Sequence, residues 1–123
     1  MLLGDFFTIR SIQKEGDSIK AILELHAAHP IFKGHFPGQP VVPGACLLQM
    51  VKEIMQTVTG SEMQLIKAHQ LKFIALIDPR KNSTLQMMVT YAVYENHEIA
   101  VAATLSNDIS ACFKFNGLFR LCK

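Results

Sequence analysis

A histidine, a Pro-Gly pair and a glutamine lie close together in the sequence, and the histidine could do acid–base chemistry. His35 opens the segment HFPG, in which proline and glycine restrict the loop backbone. A neutral histidine titrates at about pH 6.5 and is well suited to take a proton near neutral pH. Pro43 and Gly44 follow, and Gln49 stands 14 residues after His35. His35 is therefore our candidate base on its chemistry alone.

The helix that begins near Pro43 would add hydrogen-bond donors. Proline suits the first helical position and Gly60 suits a helix end, so the helix should run over residues 43–59. The first N–H groups of a helix lack internal partners, and no Ser, Thr, Asp or Asn precedes Pro43 to cap them. The N–H groups of Gly44 and Ala45 could then point at a carbonyl oxygen, with support from the helix dipole. A simpler interpretation, that Pro-Gly turns the chain into the helix, is compatible with this.

Alternating apolar and polar residues predict a sheet around this helix. The alternation is clearest at Ile19, Ala21, Leu23 and Leu25. The expected strands are residues 6–13, 18–26, 63–77, 84–94, 97–106 and 109–121, and a Pro- and Gly-rich loop covers residues 27–42. The breaks at residues 95–96 and 107–108 are short enough for hairpins. The predicted fold class is α+β, with one antiparallel sheet wrapped around a long central helix.

Composition limits the possible classes of protein. A chain of 123 residues fits one domain, residues 1–123. Half of its residues are hydrophobic and 18% are charged, against about 25% in an average domain, so we expect an oligomer interface or a lipophilic tunnel. A net charge of +2 and scattered basic residues argue against nucleic acid. No apolar stretch reaches the ~20 residues of a membrane-spanning helix, and no secretory signal is evident, so we expect a cytoplasmic protein without membrane contact.

The cysteines and histidines do not predict a metal site. The three cysteines are an odd number without CxxC spacing, which argues against a disulfide framework and against zinc. They are Cys46, Cys112 and Cys122. His26, His69 and His97 also lack the spacing of metal ligands.

The pattern HFPGxPxxPG over residues 35–44, together with the order of strands and helix, resembles the 3-hydroxyacyl-[acyl carrier protein] dehydratases. These are lyases with the hotdog fold, and the resemblance runs from about Phe6 to the end of the chain. It implies reversible dehydration of a (3R)-3-hydroxyacyl group on acyl carrier protein to the trans-2-enoyl form, without metal or organic cofactor. It also implies an active site shared across a dimer, homomeric or heteromeric, and allows a higher oligomer.

The resemblance assigns a role to each residue of the pattern. His35 would be the base, the Gly44 N–H would contact the thioester oxygen, and residue 49 would be the acid. Gln49 departs from the family here, because an amide donates a hydrogen bond but gives up no proton, and losing a general acid costs a factor of ~10² to 10⁴. The implied substrate-binding residues are Phe36, Pro37, Gly38, Val42, Pro43 and Ala45. A second departure follows Lys72-Phe73, where Ile74 and Ala75 replace two arginines and weaken the expected contact with the carrier protein.

Several residues allow two interpretations. Gln49 also begins a polar stripe on the helix with Lys52, Glu53 and Gln56. Glu53, one turn further on, could relay a proton through water or be an ordinary exposed glutamate. His29 could hold the loop or the substrate, or be structural. Cys46 could be a nucleophile paired with His35 or a small apolar filler. Phe113, Phe115 and Phe119 have strand spacing and would line the core or a tunnel.

Three functions remain open at this stage. The first is the dehydratase itself. The second is a catalytically impaired partner that supplies His35 or an acyl tunnel to another dehydratase subunit that carries the acid. The third is an acyl thioesterase of the same fold, which would also need a carboxylate to activate water and is disfavoured by the HFPG segment. Fold alone does not separate these functions.

Overall fold

The computed structural model describes residues 2–34 and 41–122. In chain order its elements are β1 (Phe7–Glu15), β2 (Ser18–Leu25), α1 (Ile31–Gly34), α2 (Gly44–Thr59), β3 (Met63–Phe73), β4 (Thr84–Val93), β5 (Glu98–Ser106) and β6 (Ala111–Leu121). The strands form one antiparallel sheet in the order β1-β2-β4-β5-β6-β3. The predicted α+β architecture, one sheet around one long helix, is confirmed. Within the described residues no helix is long and apolar enough to cross a membrane.

The core lies between α2 and one face of the sheet. On β2 the predicted alternation is confirmed, because Ile19, Ala21, Leu23 and Leu25 are all buried. The helix and β6 contribute many of the other buried apolar side chains, among them Leu47, Met50, Val51, Ile54, Met55, Phe113, Phe115 and Phe119. Each such side chain contributes about 1.5–3 kcal/mol when it is fully buried. The three phenylalanines are therefore part of the core that holds α2 in place.

The C-terminal end of α2 lies where the sequence predicts it, and its start lies one residue later. Pro43 has an extended backbone (φ −61°, ψ 144°) and is the N-cap, so the helix begins one residue later, at Gly44. Gly60 adopts the left-handed conformation (φ 70°), and its N–H donates to the Gln56 carbonyl at 2.8 Å. Glycine takes up this conformation without steric cost, which explains why the helix ends at Thr59.

β3 is shorter than predicted, because it ends at Phe73 and not at residue 77. The N–H groups of Ile74 and Ala75 both donate to the Cys112 carbonyl, at 2.8 and 3.2 Å, and there the regular pairing with β6 ends. The chain then passes the start of α2, where the Val42 N–H donates to the Ile77 carbonyl at 2.9 Å. This detour places residues 74–77 beside the beginning of the helix.

Three smaller predictions differ from the structure. The loop of residues 27–42 contains the short helix α1. A single 3-10 turn at residues 95–97, with positive φ at Asn96 and His97, replaces the predicted two-residue hairpin. β6 begins at Ala111, because the Asn107 side-chain oxygen accepts from the N–H groups of Ile109 and Ser110 and forms a turn there. Such turns depend on local side-chain hydrogen bonds that the apolar pattern does not show.

Candidate active site

The start of α2 presents two backbone donors. In the part of the chain that the structure describes, nothing accepts a hydrogen bond from the N–H of Gly44 or Ala45, and no side chain caps Pro43. The next two N–H groups, those of Cys46 and Leu47, donate to the Pro43 carbonyl at 3.0 and 3.3 Å. Two donors at the positive end of the helix dipole can stabilise an oxygen that gains negative charge.

An apolar groove of about 390 Å³ opens beside these donors. Its lining residues are Val41, Val42, Pro43, Gly44, Leu47, Phe73, Ile74, Ala75, Leu76 and Ile77. Three residues predicted to contact the substrate or its oxygen, Val42, Pro43 and Gly44, therefore share one groove. Ala45 is exposed and lies outside this lining. The opposite wall comes from residues 73–77, which the sequence assigned to a strand.

Gly44 lies directly under the ring of Phe73. A Cβ atom at Gly44 would stand 2.7 Å from Cε1 and 2.8 Å from Cζ of that ring, closer than real Cβ contacts. The close approach that glycine permits is therefore made by an aromatic side chain of the same chain. The Phe73 side chain is 58% exposed and packs on the Phe113 ring at 5.2 Å between centroids.

Gln49 lies on a second, polar groove of about 580 Å³. This groove is lined by Gln49, Lys52, Gln56, Thr57, Gly60, Ser61, Glu62, Met63 and Cys122. Gln49 lies five residues after Gly44, which corresponds to about 140° around the helix axis. Gly44 and the Gln49 side chain line different grooves, and the structure does not bring them together within one chain.

Glu53 is fully buried, so the prediction of an ordinary exposed glutamate is wrong. Its Oε1 accepts from the N–H groups of Leu2 (3.0 Å) and Leu3 (2.7 Å). Its Oε2 accepts from the Leu2 N–H (2.8 Å) and from the Gln49 side-chain nitrogen (2.8 Å). The N-terminal residues supply the donors that make this burial possible, and the amphipathic pattern of α2 does not predict them. A signal was present, since Gln and Glu four residues apart on a helix are neighbours.

The remaining candidates at the predicted site have mixed outcomes. His35, Phe36, Pro37 and Gly38 lie outside the described residues, and their roles stay predictions. His29 is structural, because its Nδ1 accepts from the Ile31 N–H at 3.1 Å and its ring packs edge-on against Phe6 at 5.4 Å.

Cys46 is a buried apolar filler. Burial raises the pKa of its thiol, so the neutral form is favoured and the nucleophile interpretation loses support. Across residues 2–34 and 41–122, no group of three or more His, Cys, Asp or Glu side chains is arranged to hold a metal ion.

The comparison with protein families identifies the family of this chain. The sequence matches the ApeI-like family, described as ApeI dehydratase, over residues 11–111. The chain belongs to the ApeI-like dehydratase family. The resemblance seen in the HFPGxPxxPG pattern is thereby confirmed at the level of the family.

Curated relatives of this ApeI-like chain include several FabZ proteins. The 3-hydroxyacyl-[acyl-carrier-protein] dehydratase FabZ of Haemophilus influenzae (strain PittEE) is 37% identical over 65 residues, which are 53% of this chain and 43% of the relative. The FabZ of Wolbachia pipientis wMel is 26% identical over 100 residues, or 76% of this chain and 70% of the relative. The match thus spans less than half of the length of the Haemophilus relatives.

Solved structures confirm the hotdog fold. The dehydratase heterocomplex ApeI:P from Xenorhabdus doucetiae has a chain with a TM-score of 0.75 and 21% identity, and the match covers 94% of the ApeI-like chain and 97% of that chain. A putative thioesterase from Ralstonia eutropha JMP134 has a TM-score of 0.62 and 17% identity, covering 93% and 83%. At these identities the likeness shows the fold alone.

Proposed function

We propose that this ApeI-like chain is a hydro-lyase subunit that dehydrates (3R)-3-hydroxyacyl thioesters of acyl carrier protein to trans-2-enoyl thioesters. The observation that carries the proposal is the uncapped start of α2. It presents the Gly44 N–H at an apolar groove, with the Ala45 N–H next to it in the chain, shortly after the HFPG segment. This combination suits a thioester, because its carbonyl oxygen accepts hydrogen bonds from N–H groups and its acyl chain packs against an apolar surface.

Each step of the reaction then has a group assigned to it. His35 takes the proton from C2, and the electron pair moves toward the thioester carbonyl, whose oxygen is stabilised by the Gly44 N–H. The C3–O bond breaks as the C2–C3 double bond forms, and the departing hydroxide needs one proton to leave as water. Gln49 can hydrogen-bond this hydroxyl but has no proton to give up. The protonated His35 or a carboxylic acid from a partner subunit must supply it.

The acyl carrier protein would be recognised without a basic pair. Ile74 and Ala75 line the apolar groove. At these two positions the dehydratases that this chain resembles carry arginines. Together with the 58% exposed Phe73 and the 76% exposed Leu76, they make an apolar rim. We expect this rim to contact the acyl chain or its pantetheine arm rather than the acidic surface of a carrier.

The test is an assay of the purified chain with 3-hydroxyacyl and enoyl carrier-protein thioesters, followed by absorbance of the enoyl thioester and by mass spectrometry. We expect slow interconversion, abolished by His35→Ala. His69→Ala is the matched control, because His69 is exposed on β3 and lies outside both grooves. Release of a free acid from the thioester would instead indicate a thioesterase.

A second candidate is the non-catalytic half of a heterodimeric dehydratase. Two points favour it: Gln49 occupies the position at which the family resemblance implies an acid, and the similar Xenorhabdus doucetiae chain comes from a dehydratase heterocomplex. On this hypothesis the chain is inert alone. Activity should appear when it is mixed with a dehydratase-like partner from the same cell whose residue at the position of Gln49 is a glutamate. Robust activity of the purified homomer would contradict it.

A further inference from the structure

We infer that Glu53 is a positioning residue that orients the Gln49 amide, so that the amide oxygen faces the polar groove and accepts a hydrogen bond from the 3-hydroxyl group of the substrate. The identity of the substrate rests on the proposed function. The orientation of the amide rests only on the contacts within this chain. On this inference Gln49 recognises the 3-hydroxyl group by a hydrogen bond and does not donate a proton to it.

The orientation follows from what a carboxylate can do. The Gln49 side-chain nitrogen donates to Glu53 Oε2 at 2.8 Å, and both Glu53 oxygens also accept from backbone N–H groups, so Glu53 acts as an acceptor toward all of its neighbours. The amide oxygen then lies on the other side of the planar amide, away from Glu53. A reversed amide would place two acceptor oxygens at contact distance. Among the described residues none donates to this Gln49 oxygen, which leaves it available to a ligand in the groove.

Glu53 is itself fixed in place. It is 0% exposed, and the N–H groups of Leu2 and Leu3 hold its carboxylate from the side of the N-terminal segment. The segment is anchored in turn by the buried Phe6, whose ring stacks on Phe32 at 5.3 Å between centroids. The backbone N–H groups thereby fix the acceptor oxygen that faces the Gln49 amide in one position. This oxygen therefore restricts the Gln49 amide to one of its two orientations.

An outward-facing amide oxygen distinguishes hydroxylated from unhydroxylated acyl groups. The 3-hydroxyl of the substrate is a donor, whereas a saturated acyl group has no donor at C3. A net hydrogen bond of ordinary strength corresponds to a preference of about two- to tenfold in affinity. We expect this preference in the wild type and its loss when Glu53 no longer holds the amide.

The first experiment measures the orientation without any substrate. At 13.7 kDa the chain is suited to nitrogen-15 NMR, and the Gln49 side-chain amide signal can be assigned by its loss in Gln49→Ala. We expect one Gln49 amide proton to be shifted from the free-amide position and slow to exchange with water. Glu53→Gln should move this signal toward the free-amide position. A wild-type signal already at that position, or one unchanged by Glu53→Gln, would overturn the inference.

The second experiment measures the preference. The probes are 3-hydroxyoctanoyl and octanoyl pantetheine in which an amide replaces the thioester, so that no reaction occurs, and titration calorimetry gives both affinities. We expect the hydroxylated probe to bind the wild type about two- to tenfold more tightly and the two probes to bind Glu53→Gln equally. An undiminished preference in Glu53→Gln would contradict the positioning role.

Ile54→Val controls for a purely structural effect. Ile54 is the next residue on α2, is fully buried, and belongs to the apolar core. Its substitution should lower stability while leaving both the Gln49 signal and the hydroxyl preference unchanged. Loss of the preference in Ile54→Val as well would assign the effect to general loosening. If neither probe binds the wild type, the proposed function fails, and the NMR experiment still decides the orientation of the amide.

Discussion

The two grooves on α2 are built in opposite ways. The apolar groove at the helix start offers backbone N–H donors, and its wall includes Phe73, an exposed ring. The polar groove offers the side chain of Gln49, which is held by a buried and fully hydrogen-bonded carboxylate. One groove suits an apolar chain of variable shape, and the other suits a single polar contact in fixed geometry.

The position of the grooves also has a consequence for assembly. Gly44 and Gln49 lie about 140° apart around one helix and line grooves that share no residue. This separation favours a reaction in which the two residues come from two subunits, as the dehydratase resemblance implies. The predictions below test each groove separately.

Gln49→Glu should have the largest effect. The new carboxyl group would stand within hydrogen-bond distance of Glu53, and two adjacent carboxylates share a proton because they repel each other when both are ionised. That retained proton is what a general acid requires. We expect kcat for dehydration to rise by up to ~10² to 10⁴.

The double variant Gln49→Glu/Glu53→Gln sharpens this test. It reverses the pair, so that an amide at residue 53 can donate to the carboxylate at residue 49. The carboxylate is then stabilised in its ionised form, and we expect a smaller gain in kcat than in the single variant, with an acidic optimum in the pH profile. Equal gains in both variants would show that Glu53 does not influence residue 49.

Glu53→Leu should have the next largest effect, on stability. It leaves the N–H groups of Leu2 and Leu3 and the Gln49 amide without their acceptor. Unsatisfied donors of this kind cost about 1–3 kcal/mol each when they stay buried, so we expect the free energy of unfolding in urea to fall by about 2–5 kcal/mol. Lys52→Gln, a neighbour on the polar groove, should stay within about 0.5 kcal/mol of the wild type.

Gly44→Ala tests the contact with Phe73 at the apolar groove. The added methyl group meets the ring at 2.7 Å, and we expect a loss of about 1–3 kcal/mol from this overpacking, less whatever the ring recovers by turning. In a Phe73→Ala background the same substitution should be neutral or stabilising by up to about 1 kcal/mol, because alanine favours the helix. Additive effects in this double-mutant cycle would show that the two residues do not touch.

The smallest effect concerns Cys46 and pH. Burial raises the pKa of its thiol from the ordinary value of 9.0, so the unfolded chain loses this proton at lower pH than the folded one. The corresponding stability is fully present below about pH 9 and is lost as the pH rises through the folded pKa. Chemical denaturation at a series of pH values should show Cys46→Ala with a shallower loss above pH 9 than the wild type. Cys122→Ala, at an exposed thiol, should keep the wild-type slope.

Much of the fold could be predicted because its signals are local. The alternation at Ile19, Ala21, Leu23 and Leu25 predicts the buried face of β2, and Pro43 and Gly60 predict the ends of α2. The end of β3 could not be predicted in this way. Residues 74–77 are apolar like a strand, and only the hydrogen bonds of Ile74 and Ala75 to the Cys112 carbonyl end its regular pairing with β6.

The same division applies to the candidate site. The sequence by itself determined the family, through the HFPGxPxxPG pattern, and the departure from it at Gln49, since both depend on residue type and spacing. Only the tertiary structure decided that Glu53 is buried beneath Gln49 and that Phe73 covers Gly44. The contacts that bury Glu53 and cover Gly44 join residues that are distant in the chain, since Leu2 lies 51 residues from Glu53. The sequence pattern predicts that a polar residue on a helix is exposed, because burial requires hydrogen-bond partners from another segment. The packing of the whole chain determines which segment supplies them.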